Sequence, residues 1–399
     1  MINIPDKIKK IFDRLEENGF EAYIVGGSLR DALLGKEAHD WDMTTSATPD
    51  KMLKIFSDYR VIPTGLKHGT VTVLADGEPI EITTFRTDGE YLDSRRPESV
   101  SFASRIEDDL SRRDFTVNAM AYNEKRGLVD LFEGENDLER GIIRAVGDPE
   151  KRFSEDALRI MRAFRFASQL GFDIDSDTLA GAHATKSKLE RIAKERIGSE
   201  MLRLLEGGAP KMALEKMGDI IELIIPVSLD RSRFAAIEKG EGADAIQRLA
   251  ILLYGRNKDE ILSVAHSLKL SSHQTARLSK MAAEIPQNIM EGFEPVKARR
   301  LIATLGEDAE GALRVAAALN VVGEKELQIL RDELAKNPCT TVGGLKINGS
   351  DLIKENIATG KAVGKILAKL LDAVIADPTL NEREILIELA KNITLKSDS

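Results

Sequence analysis

Apolar positions near the start of the chain recur at helical spacing. Ile4, Ile8, Ile11, Phe12 and Leu15 fall on one face and predict a helix over residues 4–18. Glu21 to Val25 is a short apolar run ending at Gly26-Gly27, the pattern of a strand meeting a tight turn. Ser28 is placed to cap the next segment, where Leu29, Ala32 and Leu33 keep helical spacing until Gly35. A second strand is expected around Asp40-Trp41-Asp42. Thr48-Pro49 opens another helix, with Thr48 as N-cap and Pro49 at the first position, running to Phe56. Val61 to Pro63 predicts a short strand. Thr70–Leu74 and Ile80–Phe85 alternate about Asp76-Gly77, a hairpin signal.

Beyond about Glu150 the pattern turns helical, with no strand-like runs. Ser154 is the expected N-cap of the helix carrying Leu158, Met161 and Phe164. The punctuation at Gly207-Gly208, Asn337-Pro338 and Gly343-Gly344 falls between amphipathic segments. The fold class is therefore α+β: a head with a small mixed sheet, then all-helical regions. The expected divisions are 1–138, 139–206, 207–335 and 336–399. The stretch from Thr84 to Pro97 is polar and without clear period, and reads as a long loop, either a surface excursion or a functional segment.

Composition adds bounds. Of 399 residues, 42% are hydrophobic, 31% charged and 5% aromatic, which suits a largely helical body packed with Leu, Ile and Ala. A single cysteine, Cys339, excludes an internal disulfide and a cysteine metal cluster. No run approaches the ~20 apolar residues of a membrane span, and the N-terminal segment lacks an apolar signal core. A soluble cytoplasmic protein with no membrane partner is expected. A net charge of -9 argues against indiscriminate coating of nucleic acid, while leaving room for a local basic track.

The chemistry gathers in four stretches. Asp40 and Asp42 are two apart on a strand, so both carboxylates point to one side. Like charges held together call for a cation, and Mg²⁺ prefers carboxylate oxygens together with substrate phosphates. The Gly26-Gly27 turn before a helix offers backbone N–H groups to those phosphates. Glu81, on the second hairpin strand with Ile80 and Ile82 toward the other face, is a candidate third carboxylate. In Arg112-Arg113-Asp114-Phe115-Thr116-Val117-Asn118, guanidinium forks suit a triphosphate. Asp114 is placed to hold an arginine and Asn118 to bond a ribose hydroxyl. Phe115, Val117, Ala119 and Met120 imply that this segment is partly buried. Asp156 and Arg159 stand three apart on the next helix, with Arg162 and Arg165 extending a slanting basic stripe.

Taken in order, these stretches resemble the class II tRNA nucleotidyltransferases: the CCA-adding enzymes and their bacterial poly(A) polymerase relatives. Gly26-Gly27-Ser28-Leu29-Arg30-Asp31 with Asp40-Trp41-Asp42 matches GG-x-x-RD and DxD. Arg112–Thr116 with Asn118-Ala119 matches RRDFT-x-NA, and Glu155-Asp156-x-x-Arg159 matches EDxxR. The likeness is strong over residues 20–170. It is looser beyond, where Leu345-x-x-Asn348-Gly349-x-Asp351-Leu352 is similar to the family's tRNA-binding tail.

The resemblance implies a polymerase-β-like nucleotidyltransferase head followed by helical neck, body and tail. It implies template-independent addition of nucleotides from CTP and ATP to the 3′ end of tRNA, with release of pyrophosphate. By motif position Asp40 and Asp42 are the metal ligands; Glu81, by its strand placement, is either a third carboxylate beside them or an exposed strand glutamate. Gly27, Arg30 and Arg113 meet the phosphates or sugar, while Asp156, Arg159, Arg162 and Arg165 line the nucleotide pocket. One carboxylate and one guanidinium suit both cytosine and adenine: Asp156 accepts from the amino group and Arg159 donates to a ring nitrogen. Uracil and guanine present the reverse pattern and leave buried groups mismatched. The loop around 86–97 is the family's suspected lever for switching between the two bases.

A-adding, CC-adding and poly(A)-synthesising relatives remain alternatives, as does a catalytically silent RNA-binding protein. CC-adding relatives lack part of the 86–97 loop, which looks full length here. Poly(A) polymerases usually carry a longer basic extension than Lys396-Ser397-Asp398-Ser399. Lys361, Lys365 and Lys369 recur every four residues, either as a grip on RNA phosphates or as a solvated face. Lys186, Lys188, Arg191, Lys194 and Arg196 pose the same choice. No protein partner can be inferred.

Overall fold

The helical spacing at the start of the chain is realised in α1 (Asp6–Glu17), which buries Ile8, Ile11, Phe12 and Leu15. The computed structural model describes residues 2–38, 41–88, 100–239, 242–283 and 291–395. The chain forms two compact units, Met1–Pro226 with Ser267–Lys269 and Val227–His266 with Leu270–Ser399. The first therefore runs past the expected neck end at 206.

The first unit is built on a seven-stranded mixed sheet. Its strands are β1 (Ala22–Val25), β2 (Asp42–Thr45), β3 (Arg60–Gly65), β4 (Thr70–Ala75), β5 (Glu78–Thr84), β8 (Met120–Asn123) and β9 (Gly127–Asp130), in the order β3-β4-β5-β2-β1-β8-β9. The β2–β5 pair is parallel; the other pairs are antiparallel. All four residues of β1 are buried, which is why it reads as a continuous apolar run. The expected hairpin turns at Asp76 and Gly77 with φ of 52° and 85°, the left-handed pair a two-residue turn requires. Between β1 and β2 lies α2 (Gly26–Leu33), and α3 (Pro49–Ile55) follows β2 with Pro49 at its first turn as expected.

Several local expectations change. Ser28 does not cap α2, which begins at Gly26. Its hydroxyl donates to the Val25 carbonyl and accepts from the Asp42 amide at 3.3 Å, pinning β2 to the glycine turn. The stretch read as a loop contains β6 (Arg86–Asp88), antiparallel to β7 (Val100–Phe102); residues 89–99 lie outside the described residues. Among the described residues beyond 150 there is one strand-like piece, β11 (Asp173–Ile174), pairing with β10 (Ile142–Ile143).

After β7 come α4 (Ile106–Ser111) and α5 (Gly134–Arg140), then the helices of the neck. Ser154 is not an N-cap. Helix α6 (Pro149–Glu155) starts earlier, because Asp148 accepts from the Lys151 amide and Pro149 takes the first position. Ser154 lies inside α6, donating to the Glu150 carbonyl. Helix α7 (Leu158–Leu170) then begins anew. Asp156 sits in the break in extended conformation (φ −138°, ψ 103°), accepting from the Leu158 amide. It is therefore not on the same helical face as Arg159.

Helices α8 (Ser176–Thr185) and α9 (Lys194–Glu206) complete the neck. The α7–α9 contact is close: Ser168 Oγ donates to the Leu204 carbonyl at 2.7 Å. A Cβ on Gly207 would lie 2.2 Å from Ser168 Oγ and 2.8 Å from its carbonyl oxygen. Gly207→Ala must push these helices apart and is expected to destabilise the protein by roughly 2–3 kcal/mol, measured by urea unfolding.

The second unit is helical throughout its described residues. Its tail packs Leu352, Leu370, Leu386 and Ala390 into one fully buried cluster. The Asn348-Gly349-x-Asp351 motif is a capping box: Asn348 accepts from the amides of Ser350 and Asp351, and Asp351 accepts from the Asn348 amide. Lys361, Lys365 and Lys369 lie exposed on Lys361–Ala376. The end of that helix is held by Arg299, which donates to the Ile375 and Ala376 carbonyls and pairs with Glu333 at 2.7 Å. Among the described residues no helix is long and apolar enough to cross a membrane.

Candidate active site

The parallel pairing of β2 with β5 places Asp42 directly opposite Glu81. Both are exposed, while Ile80 and Ile82 of β5 are buried on the other face. Asp40 lies outside the described residues. The turn from β1 into α2 approaches from the side. Gly26 has φ 70°, and a Cβ there would lie 3.4 Å from Arg113 Nη1 and 3.7 Å from Asp42 Oδ2. Both are ordinary contact distances, so it is the left-handed φ, and not crowding, that favours glycine where the turn runs between Arg113 and Asp42.

From this edge a cleft of about 570 Å³ runs within the first unit. Gly26, Gly27, Asp31 and Asp42 line one part; Arg113, Asp114 and Asn118 line another; Arg162, Arg165, Phe166 and Arg203 close the neck side. Five guanidiniums face one space, an arrangement suited to a polyanion. Most are fixed by carboxylates. Arg30 donates to Asp31 at 2.9 Å and to the Asn118 side-chain oxygen at 2.8 Å. Asn118 donates in turn to Asp114 at 3.3 Å, and Arg162 forks onto Asp114 Oδ2 at 2.8 and 2.5 Å. Arg113 donates to Asp109 at 3.0 Å.

Asp114 is only 8% exposed. Burial pushes its pKa up, but Arg162, Arg159 and Asn118 outweigh burial and hold it at about 2, against an ordinary 3.8. Arg165 pairs with Glu200 across 2.6 Å, an ion pair rather than an aligned hydrogen bond. Burial lowers the Arg165 pKa to about 10, against the pull of Glu200. It remains a cation at neutral pH. The Phe166 ring collects three guanidiniums, with Arg165 at 3.9 Å, Arg162 at 5.2 Å and Arg30 at 5.4 Å from its centroid.

Of the residues expected at the site, Gly27, Arg30, Asp42, Arg113, Asp114, Asn118, Arg162 and Arg165 come together in the cleft. Asp156 and Arg159 do not line it. Asp156 faces Arg196 at 3.5 Å. Arg159 donates to Glu155 at 2.9 Å and to the Arg112 carbonyl at 2.9 Å.

Phe166, Glu200 and Arg203 were not singled out in the sequence. A signal existed: Arg196, Glu200 and Arg203 repeat at i, i+4 and i+7 on α9, a polar stripe beside buried Ile197, Met201 and Leu204. The basic residues before it are partly committed elsewhere, Lys186 to Asp219 and Lys188 to Ser154.

Comparisons with known proteins agree with this geometry. The poly(A) polymerase head domain model matches residues 22–144, and a tRNA nucleotidyltransferase domain 2 model matches 243–390. The CCA-adding enzyme of Ligilactobacillus salivarius is 39% identical, with 98% of each chain covered. That of Limosilactobacillus fermentum is 39% identical, covering 96% of this chain and 95% of the relative. The solved Bacillus stearothermophilus CCA-adding enzyme in complex with CTP is 31% identical and superposes with a TM-score of 0.84 over 99% of each chain. With a polymerase-type head carrying the carboxylates and an arginine-lined cleft closed by the neck, the chain belongs to the CCA-adding enzymes, a family of tRNA nucleotidyltransferases.

Proposed function

We propose that this protein adds nucleotides from CTP and ATP to the 3′ end of tRNA without a nucleic-acid template. It thereby builds or repairs the CCA terminus and releases pyrophosphate. The observation that carries this reading is a cleft in which the glycine turn, Asp42 and the arginine wall meet, with Glu81 opposite Asp42 on the neighbouring strand. The relative from B. stearothermophilus, similar over the whole chain, was solved with CTP bound.

In this reading the triphosphate lies along Gly27, Arg30 and Arg113, and Arg162 and Arg165 hold the nucleotide from the neck. Asn118 keeps donor capacity for a sugar hydroxyl beyond its bonds to Arg30 and Asp114. The 3′ hydroxyl of the RNA attacks the α-phosphorus as the bond to pyrophosphate breaks. Asp42 and Glu81 fit a hard divalent cation, being exposed oxygen donors at neighbouring strand positions, and Asp40 joins them by motif position. Mg²⁺ is the proposed ion; bound there it lowers the pKa of the attacking hydroxyl and offsets the triphosphate charge. The proposed compartment is the cytoplasm, where tRNA is available.

Base choice is assigned to Asp156 and Arg159. Since Arg159 is engaged by Glu155, reading a base requires it to exchange that carboxylate for the nucleotide edge. Purified protein incubated with tRNA lacking its 3′ terminus, Mg²⁺ and each labelled nucleotide is expected to incorporate CTP and ATP, with UTP and GTP slower by about a hundredfold or more. Comparable rates for all four overturn the base-selection argument. Product length on tRNA ending just short of CCA separates full addition from CC-only, A-only or poly(A) synthesis.

A further inference from the structure

Asp109 on α4 is completely buried, and the chemistry above does not use it. Its two oxygens serve two different parts of the head. Oδ2 accepts from Arg113 Nη2 at 3.0 Å. Oδ1 accepts from Arg112 at 2.6 and 3.1 Å and from the backbone amide of Arg86 at 3.4 Å. Arg112 also donates to the Arg86 carbonyl at 3.1 Å. Both peptide groups of Arg86, at the root of the β6–β7 hairpin, are therefore held by the Asp109–Arg112 pair. The carbonyl of Arg112 accepts from Arg159.

Burying a carboxylate this fully is unfavourable unless it is paired and hydrogen-bonded. Burial pushes its pKa up, and Arg113 and Arg112 more than reverse that, so the group stays charged. A carboxylate is planar and rigid. A displacement of the groups on Oδ1 that turns the plane also moves Oδ2, and with it the fork of Arg113. That fork ends beside Gly26 and Asp42, in the cleft.

We propose that Asp109 is a positioning residue for nucleotide transfer: it holds Arg113 against the cleft and couples it to the root of the β6–β7 hairpin. The proposal rests on the cleft being the nucleotide site. A shift at the hairpin root reaches the phosphate-facing arginine through one buried side chain, and reaches Arg159 through the Arg112 carbonyl.

Asp109→Asn tests it. The substitution keeps shape and one acceptor oxygen but sets an NH₂ group against either Arg113 or Arg112. With wild type active on the same tRNA, the expected result is a rise in KM for CTP and ATP of about tenfold to a hundredfold. The KM for tRNA stays unchanged, and kcat changes less. A role in folding alone would reduce the active fraction, lowering kcat and leaving nucleotide KM untouched; that result overturns the proposal. The double variant with Arg113→Ala is expected to be no worse for nucleotide KM than Arg113→Ala alone, whereas multiplying effects overturn the coupling. If Asp109→Asn does not fold, Arg112→Met removes the hairpin-side donors and carries the same two expectations. An inactive wild type would instead defeat the reading of the cleft.

Discussion

Asp42→Ala is expected to reduce nucleotide addition by at least about a thousandfold, while tRNA binding, followed by filter retention or fluorescence anisotropy, stays within about twofold. The asymmetry follows from where Asp42 sits. It is the exposed first residue of β2, and Met43, Thr44 and Thr45 behind it carry the burial of that strand. Removing its carboxylate leaves the strand packed. It also leaves Glu81 as the sole described carboxylate at that register position. The arginine wall is untouched, so loss of turnover reports on the reacting end of the cleft and not on its attraction for phosphate. Unchanged turnover would remove Asp42 from the chemistry and, with it, the metal assigned there.

Asp114 is the second place where one atom group decides much. Its carboxylate accepts the Arg162 fork, the Asn118 amide and the Phe115 backbone N–H. Asp114→Ala leaves the part-exposed guanidinium of Arg162 without its counter-charge; breaking a fully buried pair costs about 3–5 kcal/mol, and solvent at Arg162 puts this one below that range. Exposed pairs elsewhere, such as Lys346 with Glu382, are worth about 1 kcal/mol or less. Asp114→Asn keeps the Oδ1-side acceptor for Phe115 and Asn118, but it removes the charge and sets an NH₂ group against the Arg162 fork.

For that variant the pH dependence is the sharper test. The folded pKa of about 2 lies below the ordinary 3.8, so the charged form favours the folded state. That contribution is complete above pH 3.8 and is lost as pH falls through about 2. It amounts to roughly 2 kcal/mol. The stability gap between wild type and Asp114→Asn is therefore expected to be flat near neutrality and to close between about pH 4 and pH 2. A gap that persists at pH 2 would show that the charge of Asp114 is not what holds Arg162. In activity, both variants are expected to raise nucleotide KM, because Arg162 then loses its fixed direction.

Strands β1, β3, β4 and β5, the hairpin turn at Asp76-Gly77 and the glycine turn after β1 were legible in the sequence; β2 was expected a few residues early, and β8 and β9 were not read. The legible elements depend on local rules: side-chain period along a strand, the φ values a turn demands, and apolar spacing on a helix. The Asp42–Glu81 adjacency was reachable because both residues lie on strands and only the pairing was missing. Ser154 was misread because Asp148-Pro149, a stronger helix start, lies six residues earlier. Ser28 was misread because its hydroxyl is taken by the strand that follows.

What the sequence determined by itself was the inventory: carboxylates on strands, a glycine turn before a helix, and arginines in number. The tertiary structure decided which carboxylate holds which arginine. Asp114 with Arg162 spans 48 residues, Arg30 with Asn118 spans 88, and Asp109 with Arg86 spans 23. No periodicity encodes such pairs. Guanidinium and carboxylate groups are interchangeable as sequence symbols. Only the packing of α4, α7 and α9 around the head, which buries some of them and leaves others at the cleft, makes each partner specific.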